Sequence, residues 1–239
     1  MNHYDFNGRT ALVTGAASGI GQAAAAALRS GGARVAALDL RPATSTDLAI
    51  ESDVSDHAAV RRAVDEVERT LGGIDVLVHA AGVGGPFRGL LELDDQEWRR
   101  IMAVNADGTF YVCREVVPRM VDRGYGRVVL VSSIAGKDGN PLLPAYAASK
   151  AAMIAIAKSL GRSVAGTGVL INAIAPAVVE TPLAMAQTPE VVAQMVSQVP
   201  LGRMGTPHEA AALIAWLASE DCSFSTGAVY DLSGGRATW

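Results

Sequence analysis

Short apolar runs alternate with amphipathic helical patterns from one end of this chain to the other, and this alternation limits the fold more than any other feature. "TALVTG" (10–15), "RVAALD" (34–39), "DLAIES" (47–52), "IDVLVHA" (74–80), "GRVVLVSS" (126–133), "VLINAIA" (169–175) and "GAVYDLSGG" (227–235) read as strands. They are rich in Val, Ile, Leu and Ala and mostly do not alternate with polar residues, as expected of strands covered on both faces. Stretches 19–32, 55–73, 94–124, 146–168 and 206–221 carry helical periodicity. Such order predicts an α/β fold: a seven-stranded, parallel, doubly wound sheet with helices on both faces and right-handed crossovers. Residues 1–239 show no linker, repeat or low-complexity segment, so a single domain is expected.

Local signals place the helix ends. Ser55 or Asp56, Asp94 and Thr206 are N-cap candidates, and Pro207 suits a first turn. The Gly-Gly pairs at 31–32 and 72–73 suit helix C-termini. Residues 176–206, with Pro176, Pro182, Pro189 and Pro200, read as one long irregular stretch, the length typical of a binding loop.

Charge and composition exclude several function classes. The net charge is −4 and there is no basic block, which argues against nucleic-acid binding. No apolar run approaches the roughly 20 residues of a membrane span. The start, "MNHYDFNGRT", lacks the apolar region of a secretory signal. Cys113 and Cys222 are far apart and in no metal-ligand spacing, so both are expected to be reduced, packed thiols in a cytoplasmic protein, with no metal site.

"LVTGAASGIG" follows the first strand and opens the first helix, with glycines spaced G-x3-G-x-G at Gly15, Gly19 and Gly21. A turn without Cβ atoms lets backbone N–H groups approach a pyrophosphate, and the helix N-terminus adds partial positive charge. Ser18 and Ile20 would add loop contacts. Asp39 ends the second strand, 18 residues after Gly21, where a carboxylate can accept hydrogen bonds from both ribose hydroxyls of an adenosine and repel a 2′-phosphate. NAD is therefore favoured over NADP, Arg41 notwithstanding. Asp53 and Val54 follow the third strand at the same sheet edge, where an adenine could lie.

With these pieces the chain resembles the short-chain dehydrogenase/reductase family of small, single-domain enzymes. The likeness runs over about residues 8–235 and rests on "TGAASGIG" (14–21), Asp39, Asp53–Val54, Ala81–Gly82, Asn105 in "VNADGTF", "SSIAG" (132–136), "YAASK" (146–150), "NAIAP" (172–176) with Thr181, and "PLGRMGTPHEAA" (200–211). It implies a Rossmann-like fold and a homotetramer. It also implies catalysis by Ser133, Tyr146 and Lys150 with Asn105 as fourth member, Ser133 lying thirteen residues before the tyrosine. The implied cofactor contacts are Gly15, Ser18, Gly19, Ile20, Gly21, Asp39, Asp53, Val54, Ala81, Gly82, Asn105, Tyr146, Lys150, Pro176, Val179 and Thr181. Two positions depart from the family pattern. "HAAG" (79–82) replaces the common "NNAG", so Ala80 lacks an amide that ties the turn, and "PA" (176–177) replaces "PG". His79 itself reads as structural.

The chemistry follows from spacing. Tyr146 and Lys150, four apart on a helix, share a face about 6 Å along the axis. A phenol with pKa near 10 works best as a general acid–base near the operating pH, and a shift of three units needs about 4 kcal/mol. One positive charge at about 5 Å supplies about 3 kcal/mol at an effective dielectric of 20. The Lys150 ammonium and the oxidised nicotinamide are thus expected to acidify Tyr146. Ser133 would hold the substrate oxygen, and the Asn105 carbonyl would face a water linking Lys150 to solvent.

Stretches 84–91, 134–144 and 177–200 are expected to wall the substrate. They hold Phe87, Leu90, Leu142, Leu143, Val178, Leu183, Met185 and Met195, with Arg88 and Lys137 able to meet a carboxylate or a phosphopantetheine arm. A mostly apolar secondary alcohol or ketone fits. The expected activity is an NAD-dependent alcohol dehydrogenase or ketoreductase. A 3-oxoacyl-thioester reductase is the alternative, and a silent nucleotide sensor the second. Val116, Val117, Met120, Met153, Ile154, Ala157 and Leu160 are offered as faces that pair across a twofold axis, with Trp239 as a second contact.

Overall fold

The computed structural model describes residues 4–237; Trp239 lies outside the described residues. All seven expected strands form: β1 (Thr10–Thr14), β2 (Arg34–Asp39), β3 (Leu48–Glu51), β4 (Val76–His79), β5 (Gly126–Val131), β6 (Val169–Pro176) and β7 (Val229–Leu232). They join in one sheet of order β3-β2-β1-β4-β5-β6-β7, parallel throughout. Strand order reverses between β1 and β4, and a crevice opens beyond the C-terminal strand ends at such a point.

The expected helices are present: α1 (Gly19–Ser30), α2 (His57–Leu71), α3 (Asp95–Met102), α4 (Gly108–Arg123), then, after the one-turn α5 (Ala135–Asp138), α6 (Pro144–Ser163). Of the two candidate caps for α2 the structure selects Asp56, whose carboxylate accepts from the amides of Ala58 and Ala59. Asp94 caps α3. Gly31 and Gly72 follow the ends of α1 and α2.

Residues 176–206 are not one irregular loop. Two short helices, α7 (Pro182–Met185) and α8 (Pro189–Ser197), form there ahead of α9 (Pro207–Ala218). Each of the three begins with a threonine N-cap followed by proline, Thr181, Thr188 and Thr206, and the last completes a reciprocal capping box with Glu209. An isolated parallel bridge between Val179 and Gly205 closes the base of the segment.

The core forms two slabs with different character. On one face α2, α4 and α6 bury Val60, Val64, Val112, Val116, Met120 and Met153 against Leu12, Leu38, Leu77, Val128 and Leu130. On the other, α1 and α9 lie side by side over a surface that is richer in alanine, with Ala11, Ala24, Ala25, Ala37, Ala210 and Ala218 packed among Leu28, Val78, Ile174 and Ile214. Cys113 belongs to the first slab and Cys222 to the second, so both thiols are buried and unpaired.

One expectation is corrected here. Val116, Val117, Met120, Met153, Ile154 and Ala157 are buried within this chain, and Leu160 packs against the same slab, so these side chains are not free to pair with a second copy. The helical period identified an apolar face correctly, but the sheet covers it. The exposed apolar residues of α3 and α4 are Trp98 and Phe110.

Candidate active site

A cavity of about 590 Å³ lies at the C-terminal strand ends. Every residue expected to touch a dinucleotide lines it except Asn105, which lies directly behind the turn at Gly82. At the near end the glycine turn is shaped for close approach. A Cβ on Gly15, whose φ is +68°, would meet the Ala81 nitrogen at 2.7 Å, and one on Gly21 would collide with the Gly15 carbonyl. Ser18, the N-cap of α1, makes no side-chain cap bond, leaving the first amides of the helix available to an anion. Asp39 accepts from the Ala17 amide at 2.9 Å, which fixes its carboxylate beside this turn. Arg41 reaches back to Ser18 Oγ at 3.2 Å. Asp53 holds Ser55 through the same oxygen that caps the backbone there. An anion cradle with an acid beside it fits the adenosine diphosphate half of a dinucleotide.

At the other end the segment after β5 and the helix α6 bring together Ser133, Tyr146 and Lys150. The two serines after β5 have separate tasks. Ser132 donates to the Lys150 carbonyl at 2.8 Å and ties β5 to α6, whereas Ser133 lines the cavity and hydrogen-bonds the Tyr146 phenol. Lys150 is buried; its Nζ donates to the Val131 carbonyl at 2.8 Å, contacts Met153 Sδ at 3.3 Å and stands 5.7 Å from the Tyr146 ring centre. Burial pushes the Lys150 pKa down to about 8. Burial also raises that of Tyr146, with the Ser133 hydrogen bond pulling the other way. Lys150 and Tyr146 share a face, as expected; the expected acidification joins the Lys150 ammonium to an oxidised nicotinamide, and in the protein alone desolvation of the phenol dominates while Nζ is held on the Val131 carbonyl.

Asn105 sits in a π-helical turn (Ala103–Asp107) between α3 and α4. The side chain is a clamp. Its Oδ1 accepts from the Val83 amide (2.8 Å), and its Nδ2 donates to the Val83 carbonyl (2.9 Å) and to Ser149 Oγ (2.9 Å). Ser149 in turn donates to the Tyr146 carbonyl at 2.8 Å. The Asn105 carbonyl, expected to face a water, accepts the Thr109 hydroxyl at 2.5 Å. Ser149 was not singled out in the sequence, though its place between Tyr146 and Lys150 was the available cue.

Neither departure from the family pattern leaves a gap. The Ala80–Ala81 turn is held by Thr14, whose Oγ1 accepts from the Ala81 amide at 3.1 Å and lies 2.9 Å from His79 Nδ1. His79 is fully buried, with no partner at Nε2 among the described residues, and desolvation, aided by the Lys150 charge, pushes its pKa down to about 3. Ala177 needs no glycine, since Ser45 is the non-glycine residue with positive φ among the described residues.

The substrate wall is narrower than expected. Phe87, Leu143, Val178, Leu183 and Met195 line the cavity; Leu90, Leu142 and Met185 are exposed outside it. Arg88 is exposed and Lys137 faces Asp231 at 3.5 Å, so neither cation lines the cavity. The cation that does so on this side is Arg236, which the sequence reading missed.

Comparison with known proteins agrees with this architecture. A family model described as enoyl-(acyl carrier protein) reductase matches residues 15–237. The 2-dehydro-3-deoxy-L-rhamnonate dehydrogenase (NAD(+)) of Sphingomonas sp. is 43% identical, over 98% of this chain and 97% of that protein. The 3-oxoacyl-[acyl-carrier-protein] reductase FabG of Thermotoga maritima is 36% identical over 95% and 97%. The cis-4-hydroxycyclohexanecarboxylate dehydrogenase of Sinomonas cyclohexanicum is 36% identical over 96% and 97%. The crystal structure of gox2181 superposes with a TM-score of 0.94 at 31% identity, covering 98% of both chains. This chain belongs to the short-chain dehydrogenase/reductase family.

Proposed function

We propose that the chain is an NAD(H)-dependent oxidoreductase that interconverts a secondary alcohol and a ketone, with Tyr146 as the acid–base. The observation that carries this reading is one continuous cavity with Asp39 and the glycine turn at one end and Ser133, Tyr146 and Lys150 at the other. The relatives named as dehydrogenases of hydroxy acids support it. The nicotinamide cofactor supplies the hydride acceptor or donor when bound. Asp39 would hold the adenosine ribose and Lys150 the nicotinamide ribose. In oxidation Tyr146 takes the hydroxyl proton; in reduction it returns that proton to the nascent alkoxide. Ser133 holds the same substrate oxygen through its hydroxyl. Asn105 fixes the Val83 turn and the Tyr146 helix, so that both sides of the cavity keep their spacing.

Replacing Tyr146 with Phe should lower turnover by about 10²–10⁴-fold while leaving NADH binding, followed by fluorescence, largely intact. In the wild type, alcohol oxidation should accelerate as pH rises, since burial holds the phenol protonated at neutrality. Near-normal turnover in the variant removes Tyr146 from this role.

A 3-oxoacyl-thioester reductase is the second reading, favoured by the FabG relatives. Asp39, which would repel a 2′-phosphate, supports the first. We further propose that residues 1–239 form one catalytic domain with 176–206 as its substrate-binding region, and that the protein works as a cytoplasmic homotetramer. The two buried, unpaired thiols and the exposed Trp98 and Phe110 support these assignments. No helix among the described residues is long and apolar enough to cross a membrane.

A further inference from the structure

The charged residues lining the cavity are Asp39, Arg41, Asp53, Lys150 and Arg236. Strand order sorts them. Asp39 ends β2, Arg41 follows it and Asp53 follows β3, at one edge of the sheet; Arg236 follows β7, at the opposite edge. At about 4.8 Å per strand, five spacings, or about 24 Å, separate the ends of β2 and β7. Ser133 follows β5 and lies between them, about two spacings from β7. Arg236 therefore belongs to the side of the cavity beyond the reacting groups, opposite the adenosine end.

Its setting there is unusual. The cavity it lines also holds Phe87, Leu143, Val178 and Met195, and the acid beside it is Asp138. The backbone around Arg236 is fixed by the Arg236 amide donating to the Ser233 carbonyl and the Ala237 amide to Ser233 Oγ. The guanidinium is mostly buried and faces Asp138 through Nε at 3.6 Å, too far for a hydrogen bond. Among the described residues its terminal nitrogens have no hydrogen-bond acceptor, so the forked edge that matches a carboxylate remains available. The other cation nearby, Lys137, faces Asp231 instead.

We infer that Arg236 anchors a carboxylate on the substrate, so that the alcohol–ketone pair is a hydroxy acid and the corresponding oxo acid, its carboxylate several bonds from the reacting carbon. This rests on the oxidoreductase reading, and it adds the substrate class and the residue that selects it. A mostly buried guanidinium discriminates between a carboxylate and a neutral isostere; a solvent-exposed one, such as Arg88, does so weakly.

The test is a binding measurement that does not depend on turnover. The full chain, in the presence of NADH, is titrated calorimetrically with cyclohexanecarboxylate and with cyclohexanecarboxamide, neither of which has a hydroxyl to oxidise. The wild type should prefer the carboxylate by roughly 10–100-fold, the range of a charge-assisted hydrogen-bond pair. Arg236→Gln should abolish the preference with the amide affinity unchanged, and Arg236→Lys should retain part of it. Asp138→Asn, which removes the competing acid and leaves the arginine, should strengthen carboxylate binding several-fold, giving a second readout should the arginine variants fold poorly. Equal affinity for the two probes in the wild type, a preference that survives Arg236→Gln, or no gain in Asp138→Asn would overturn the assignment. Loss of dehydrogenase activity towards every alcohol, with the carboxylate preference intact, would instead sink the oxidoreductase reading alone.

Discussion

His79 shows how one side chain can sustain a site without joining its chemistry. It is buried at the end of β4, hydrogen-bonded to the Thr14 hydroxyl that holds the Ala81 amide. Its folded pKa, about 3, lies below the ordinary 6.5, so between these values the unfolded chain binds the extra proton. The stability that His79 contributes is fully present above pH 6.5 and should fall with acidification at about 1.4 kcal/mol per pH unit down to the folded value. His79→Asn should flatten that slope between pH 6.5 and 4.5 in urea-unfolding series; parallel slopes would remove His79 as the cause. That Tyr146 and Lys150 share a face at the cavity was legible in the sequence because spacing along one helix is local information. The protonation of that pair was not, since its direction depends on what buries the phenol and where Nζ points. Arg236 was illegible for a different reason: only the β7 edge position brings it to the cavity, and no local pattern encodes a position in a sheet.

The α3–α4 region argues the same point for elements. Helical period located the long segment, yet the π turn at Ala103–Asp107 inserts only a slight phase change into an otherwise continuous pattern. That phase change aims Asn105 at two other elements at once. Three hydrogen bonds from one buried amide, each contributing about 1 kcal/mol net, join the Val83 turn, the π turn and α6. Asn105→Ala should therefore destabilise the fold by about 3 kcal/mol in chemical denaturation and lower kcat as the Tyr146 helix loosens. A loss of less than about 0.5 kcal/mol would show that the clamp contributes little. The helices α7 and α8 had readable signals: the Thr-Pro pair that marked the start of α9 also stands at 181–182 and 188–189. The density of prolines reads as loop, although proline is favoured at a first helical position.

At the scale of the molecule, the seven-stranded doubly wound sheet follows from the strand–helix alternation alone, and all seven strands lie where the apolar runs put them. Assembly is where sequence periodicity misled, because an amphipathic helix has one apolar stripe and the sheet uses it. The proposed homotetramer must then rest on residues outside that stripe. Phe110→Asp should shift sedimentation velocity from a tetramer towards smaller species with far-UV circular dichroism unchanged; an unshifted tetramer would clear Phe110 of any part in assembly.

The unequal slabs on the two faces of the sheet carry a consequence for how such a chain tolerates change. Beneath α2, α4 and α6 the long side chains leave a void when shortened, so truncation is the damaging direction there. Beneath α1 and α9, shortening Leu28, Ile174 or Ile214 would leave the same kind of void, but the more numerous alanines there must displace a packed neighbour to grow. Genetic drift should thus meet a lower size limit on both sides of the sheet and an upper one more often on the alanine-rich side, an asymmetry that a survey of permitted variants would record.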